Sequence, residues 1–217
     1  MQLHRILKGL ILILGIFLII FFIGAKIVSR IMGRWGMAMP CPASLSWVVD
    51  NPLRIGYMHS VLDWVGIRPG ETVLELGPGP GVFTLDAARY VGDGLLISVD
   101  IQPEMINQVT RRLQAAGVDN VQTHVASAYE LPISDNSVDR VFLISVLDEI
   151  PDPSLALIEF HRVLKPSGIL SLTHEFVDPD YLFPGETIKL VEPFGFRKTE
   201  QFGNWWLHTI NFMKEDK

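Results

Sequence analysis

Val73-Leu74-Glu75-Leu76-Gly77-Pro78-Gly79-Pro80-Gly81, with Asp100 closing the next apolar run, decides how this 217-residue chain folds. The first half reads as a buried parallel strand ending in a carboxylate. The glycines that follow let the backbone turn tightly and approach a ligand with no Cβ in the way. Residues 83–90 suit a helix whose first amides face that same ligand. Strand, glycine turn, helix, strand and acid, in that order, describe a nucleoside-binding α/β half-domain.

The glycine spacing narrows the nucleoside. The dinucleotide fingerprint G-x-G-x-x-G would need glycine at position 82, where Val82 stands, and this disfavours an NAD-linked oxidoreductase. The pattern present, E-x-G-x-G-x-G followed by Asp100, resembles the opening motif of class I S-adenosylmethionine-dependent methyltransferases. That resemblance implies S-adenosyl-L-methionine as cofactor. Its methionine end would be wrapped by the turn Glu75, Gly77, Pro78, Gly79 and Gly81. Both ribose hydroxyls would rest on Asp100, with Ile101 beside it.

Two further segments carry the likeness onward. Leu131-Pro132-Ile133-Ser134-Asp135-Asn136-Ser137-Val138-Asp139 resembles the segment before the family's fourth strand. Phe160-His161-Arg162-Val163-Leu164-Lys165-Pro166-Ser167-Gly168 is similar to its turn between a helix and the fifth strand. The motifs stand in the family's order across residues 50–213, and the likeness is closest to the type 11 group. Periodicity alone predicts alternating strands and helices, hence a doubly wound α/β fold with a mainly parallel sheet. The resemblance adds seven strands in the Rossmann-like order 3-2-1-4-5-7-6.

Strands are expected at 72–76, 95–100, 121–125, 140–145, 169–174, 197–202 and 206–212. Helices are expected at 52–65, capped by Asn51, and from Pro103 with Met105, Val109, Leu113 and Ala116 on one face. Others are expected at 152–164 and 186–192. Alternation near the C-terminus should bury about half of the aromatic group Phe194, Phe196, Trp205 and Trp206. A membrane-interface wall is the other reading of those rings.

One position departs from the family pattern. Gly-Asp-Ala usually precedes the Leu-Pro, its Asp accepting from the adenine amino group, and here Ala126-Ser127-Ala128 stands instead. A serine hydroxyl still accepts a bond but is shorter and uncharged. Charge-assisted bonds are about twice as strong as neutral ones, so weaker cofactor affinity is expected.

Methyl transfer from a sulfonium is an in-line displacement, in which a protein chiefly aligns the partners and excludes water. A base is needed only when the nucleophile arrives protonated. The acceptor belongs beyond the carboxyl ends of strands four and five. Asp148 and Glu149 follow the fourth strand, and His174 and Glu175 end the fifth, so each is a candidate base or clamp. The plainer readings are a turn for the first pair and a hydrogen-bonded strand-end histidine for His174. The histidines lack metal-ligand spacing, so no metal is expected, and no G-x-S-x-G nucleophile turn occurs.

The N-terminus is the second conspicuous feature. The run 9–25 holds no charge and is bounded by Lys8 and Lys26. As a helix it spans roughly 25 Å at about 1.5 Å per residue, near the lower limit for a membrane crossing. A cleaved signal peptide and a buried core helix are the alternatives. The expected organisation is an anchor with its flanks at 1–35, a linker at 36–50 and the methyltransferase domain at 51–217. Arg5 and Lys8 precede the run while Lys26, Arg30 and Arg34 follow it, which weakly favours a single-pass protein with its domain in the cytoplasm. The cofactor is kept in the same compartment. Cys41, the single cysteine, excludes an internal disulfide.

A net charge of −6 at pH 7 argues against a nucleic-acid partner, since phosphate binding needs clustered Lys and Arg. A tethered enzyme meets lipid-soluble acceptors at high local concentration, which points to quinone precursors or phospholipid headgroups. Residues 128–139 with His174-Glu175-Phe176 are similar to quinone-biosynthesis C-methyltransferases. Residues 73–84 resemble the opening of phospholipid N-methyltransferases of the soluble fold. A soluble small-molecule acceptor and a non-catalytic, cofactor-binding scaffold are the other readings of the chain.

Overall fold

The structure, a computed structural model, describes residues 8–9, 12–17, 20, 23–24, 26–28, 31 and 40–215. Within 40–215 seven strands form one sheet: β1 (Thr72–Leu76), β2 (Leu95–Asp100), β3 (Val121–Val125), β4 (Val138–Ile144), β5 (Leu164–Glu175), β6 (Phe196–Gly203) and β7 (Leu207–Lys214). Their order is β3-β2-β1-β4-β5-β7-β6. β1 to β5 run parallel, and β7 pairs antiparallel with both β5 and β6.

The inner parallel strands β1, β2 and β4 are buried on both faces because helices cover both, whereas the edge strand β3 has no buried residue. Successive side chains point to opposite sides, so Val73 joins one core while Leu74 and Leu76 join the other. The first core holds Val73, Leu96 and Phe142 under α1 (Pro52–Tyr57), α2 (Val61–Val65) and α3 (Thr84–Val91). The second holds Leu74, Val141, Leu143 and Leu172 with Leu157 and Phe160 of α5 (Pro153–Val163) and Val191 of α6 (Pro184–Val191). The helix α4 (Pro103–Ala116) lies between β2 and β3 in the chain.

Several boundaries differ from expectation for packing reasons. The helix expected at 52–65 is two. Asn51 caps the first, its Oδ1 accepting from Arg54 N at 3.0 Å. That helix turns Arg54 toward the end of β5, whereas Val61, Leu62 and Val65 of the second enter the core, and one straight helix cannot serve both directions. In α4 the buried stripe is Met105, Ile106, Val109 and Leu113, with Ala116 exposed. β5 begins at Leu164, which pairs with Val138, so the Lys165–Gly168 turn lies within the strand span. Of the aromatic group, Phe196 is buried, Phe194 and Trp206 are partly buried, and Trp205 is exposed.

Among the described residues no helix is long and apolar enough to cross a membrane. Much of the run 9–25, expected as an anchor, lies outside the described residues. Its described stretch 12–17 is helical.

Candidate active site

The turn after β1 adopts the backbone that the glycines permit. Gly77, Gly79 and Gly81 have φ of 67°, 54° and 84°, a region side chains with a Cβ rarely enter. A Cβ on Gly77 would stand 2.6 Å from Val146 Cγ2, so that glycine is required by close packing. A Cβ on Gly79 would meet nothing within 4 Å. Gly79 thus faces open space at the carboxyl end of the sheet, where a ligand could approach its backbone.

Asp100 ends the neighbouring strand and is buried, its Oδ1 accepting from Gln102 N at 2.9 Å. Burial raises its carboxyl pKa, while amides of Gln102, Gly79 and Ile101 pull it down. Clamp and turn are therefore adjacent, as a ribose and a methionine tail require. Ile101 is exposed beside them. Ala126 N donates to Asp100 O at 3.1 Å, which brings the segment Ala126, Ser127 and Ala128 to the same rim. Ser127 Oγ accepts from Tyr129 N at 3.2 Å and keeps a lone pair for another donor.

Glu75 departs from expectation. It is buried within the sheet, its Oε2 accepting from Ser98 Oγ at 2.5 Å and Thr84 Oγ1 at 2.8 Å. It therefore ties β1 to β2 and to the start of α3, and braces the turn from behind. Burial pushes its pKa up to about 7 against the pull of the two hydroxyls.

The second group of candidates lies past β4 and β5. Asp148 and Glu149 occupy a short 3-10 turn, Leu147–Glu149. Glu149 Oε2 accepts from Cys41 N at 3.1 Å. Burial raises its pKa to about 8, with Asp148, Asp180 and Asp100 adding to the effect against the Cys41 amide. Asp148 Oδ2 lies 3.6 Å from His174 Nδ1, and both side chains are buried. His174 faces His208 across the β5–β7 pair, with ring centroids 5.4 Å apart. Burial, helped by His174, lowers the His208 pKa to about 3 and keeps it neutral. His174 is thus enclosed, with Asp148 and His208 as its neighbours.

Glu175 is a structural hub. It receives Arg54 Nε at 2.7 Å, Tyr57 Oη at 2.5 Å and Ser145 Oγ at 3.1 Å. A carboxylate so occupied has no spare role as an acceptor clamp.

Sequence reasoning missed several contributors. Gln102 Nε2 donates to Cys41 O at 2.9 Å while its Oε1 accepts from Ala43 N at 3.1 Å. Asp50 pairs with Arg112. The described part of the segment 36–50 is thereby strapped along the crevice. Asp178 and Asp180 are the others, and burial followed by Asp148 raises both carboxyl pKa values. The triplet Asp178-Pro179-Asp180, three residues past β5, was the available signal.

Two clefts of about 350 and 310 Å³ open at the opposite, amino ends of the strands. Two of their lining charges are paired with acids, Arg140 Nε with Glu71 Oε2 at 3.1 Å and Lys165 Nζ with Asp139 Oδ1 at 2.7 Å. The glycine turn and Asp100 are at the other end of the sheet, so those clefts have no part in this site.

Residues 74–172 match the family model described as a methyltransferase domain. Residues 74–172 thus resemble a methyltransferase domain, and the sheet that contains them has the fold of a SAM dependent methyltransferase. The crystal structure of a SAM dependent methyltransferase from Aquifex aeolicus superposes with a TM-score of 0.75. It is 24% identical and covers 81% of this chain and 100% of its own. A ubiquinone/menaquinone biosynthesis C-methyltransferase of Vibrio cholerae is 38% identical over 138 residues, 60% of this chain and 53% of that protein. An uncharacterized 37.1 kDa protein in a Streptomyces fradiae transposon is 34% identical over 149 residues, 67% of this chain and 43% of that one. The chain thus spans about half the length of these curated relatives. The glycine turn, Asp100 and Ser127 lie inside the matched segment, and Asp178 and Asp180 lie beyond it.

Proposed function

We propose that the full chain is a membrane-tethered S-adenosylmethionine-dependent methyltransferase acting on a small or lipid-soluble acceptor, a quinone precursor or a phospholipid headgroup. Residues 9–25 are the anchor, 51–217 the catalytic domain, and the domain faces the cytoplasm. The observation that carries the reading is the open backbone of Gly79 beside the buried Asp100. In support of the anchor, Leu12, Ile13, Phe17 and Ile20 hold apolar side chains 62–65% exposed, a pattern that lipid would cover.

Each part of the site has a task in this reading. The bound cofactor supplies a methyl group made electrophilic by the sulfonium. Gly77, Gly79 and Gly81 hold the methionine end against the backbone, and Asp100 accepts from the ribose hydroxyls. Ser127 stands where the adenine amino group would donate. Gln102 and Glu149 hold residues 41–43 along the crevice and so exclude water from it. Asp148 and Glu149 lie beyond the strand ends, where the acceptor enters.

Titration of the full chain in lipid nanodiscs with S-adenosylhomocysteine tests the cofactor site. Asp100→Ala should weaken binding at least about tenfold, because hydrogen bonds to a charged group contribute about 1.5–3 kcal/mol each. Equal affinity in the mutant would sink the assignment. Carbonate-resistant sedimentation of the full chain with membranes, lost on deleting residues 1–35, tests the anchor.

A further inference from the structure

The segment 43–57 is tied to the carboxyl end of the sheet, yet it keeps much of its apolar surface in the open. Gln102, just after β2, bonds to Ala43 N and Cys41 O, and Glu175, the last residue of β5, bonds to Arg54. Between these ties Leu45, Trp47, Val48 and Leu53 are exposed, Trp47 by 67% and Leu53 by 84%. Ile55 is exposed as well. A folded domain seldom leaves so many large apolar side chains in water unless something covers them.

The same rim continues into the aromatic residues past β5. Tyr57 stands edge-on to Trp206 with ring centroids 6.0 Å apart. Phe176 lies 6.1 Å from Trp206 and 5.2 Å from Trp205 on the same measure. Trp205, in the turn between β6 and β7, is 61% exposed. Ring contacts therefore join α1 to that turn. Leu53 and Tyr57, four residues apart, share one face of α1.

Charge and position together say what covers the rim. Segment 43–57 has two charged residues, and both are ion-paired, Asp50 with Arg112 and Arg54 with Glu175. What it offers a partner is apolar, with tryptophan prominent, and tryptophan favours the boundary between membrane and water. Lys26, directly after the run 9–25, lies 4.5 Å from the Phe176 ring centroid and donates to Asp178 O at 2.6 Å. The end of the anchor is thus seated against the same aromatic group. A lysine closing a membrane-embedded run reaches to the headgroup level, which brings Phe176 and Trp205 to that level too.

We propose that this rim docks on the lipid bilayer, with Trp47, Leu53 and Trp205 inserted at the boundary between headgroups and acyl chains. The inference rests on the membrane-tethered reading and adds the orientation of the domain to it. Asp100 and Glu175 end parallel strands, so the crevice opens at the same end of the sheet as the rim. A lipid-soluble acceptor then passes from bilayer to crevice without crossing water. The contact is apolar and the chain carries a net charge of −6, so anionic lipid does not strengthen it.

The test uses the full chain in phosphatidylcholine nanodiscs, with Cys41→Ser as background and one nitroxide-labelled cysteine at a time. Leu53→Cys and Trp205→Cys report the rim, and Phe17→Cys reports the anchor. Asp93→Cys, exposed just before β2, reports the opposite end of the sheet. Collisions with oxygen, which enters lipid, are compared with collisions with a nickel chelate, which stays in water. The labels at 53 and 205 should lie about 5–10 Å below the headgroup boundary, and the label at 93 in water. Rim labels as open to the chelate as position 93, with position 17 in lipid, would overturn the docking and leave the anchor standing. Rim labels shielded from both reagents would mean that protein covers the rim, and would also overturn it. Position 17 in water would overturn the anchor reading and the orientation with it. A second readout needs no label: lipids brominated near the headgroup should quench the tryptophan fluorescence, and less so in the double variant Trp47→Phe, Trp205→Phe. Equal quenching in that variant would count against the proposal.

Discussion

The Oδ2 of Asp148 lies 3.6 Å from the Nδ1 of His174, with both side chains buried and neither hydrogen-bonded to anything among the described residues. Such a pair is costly to the fold. Neutralising the carboxylate should therefore stabilise the protein. We expect Asp148→Asn to gain about 1 kcal/mol or more, since an unpartnered buried charge costs more than an unpartnered neutral amide. Scanning calorimetry should show this as a rise of about 2–4 °C per kcal/mol in a domain of this size.

Glu175 should behave in the opposite way. Its oxygens hold Arg54, Tyr57 and Ser145 in the interior, so Glu175→Ala leaves a buried guanidinium uncompensated. Breaking a buried ion pair from one side costs about 3–5 kcal/mol. Urea unfolding of the two proteins measures it, and a loss under about 1 kcal/mol, the ceiling for exposed pairs, would contradict the hub.

The glycine turn separates folding from binding. Gly77→Ala meets Val146 at 2.6 Å and should lower both stability and cofactor affinity. Gly79→Ala meets nothing, so it costs only about 1–2 kcal/mol for the left-handed backbone. It should nevertheless abolish S-adenosylhomocysteine binding, because its methyl occupies the approach to the backbone. Calorimetric titration beside a melting curve distinguishes the two variants.

The raised carboxyl groups predict a pH trend. Glu75 moves from 4.5 to about 7 and Glu149 from 4.5 to about 8. In each case the folded state keeps a proton that the unfolded chain releases, so the contribution to stability is fully present below 4.5 and is lost as pH rises through the folded value. His208, lowered from 6.5 to about 3, works in the opposite sense but only below pH 6.5. Between pH 6.5 and 8 the melting temperature should therefore fall. Glu75→Gln keeps an oxygen for Ser98 and Thr84 while removing the ionisation, so its decline should be shallower. An identical slope in the mutant would refute the burial argument for Glu75.

The local grammar of the chain was enough for β1, β2 and β3, whose observed bounds are the expected 72–76, 95–100 and 121–125. Short apolar runs between glycine turns and capped helices define their own limits, because backbone preference and strand periodicity act over a few residues. The turn at Gly77–Gly81 and the acid at Asp100 were legible for the same reason, since positive φ at a strand end demands glycine. The roles of the acids past β4 and β5 were not. Register between β5 and β7 sets His174 against His208, and Arg54 claims Glu175 from 121 residues away. The Lys26 ammonium reaches Asp178 from 152 residues away and also lies over the Phe176 ring. Which carboxylate stays available for chemistry depends on which partners folding brings to the others. Those partners are distant in sequence, and only packing and strand register bring them together.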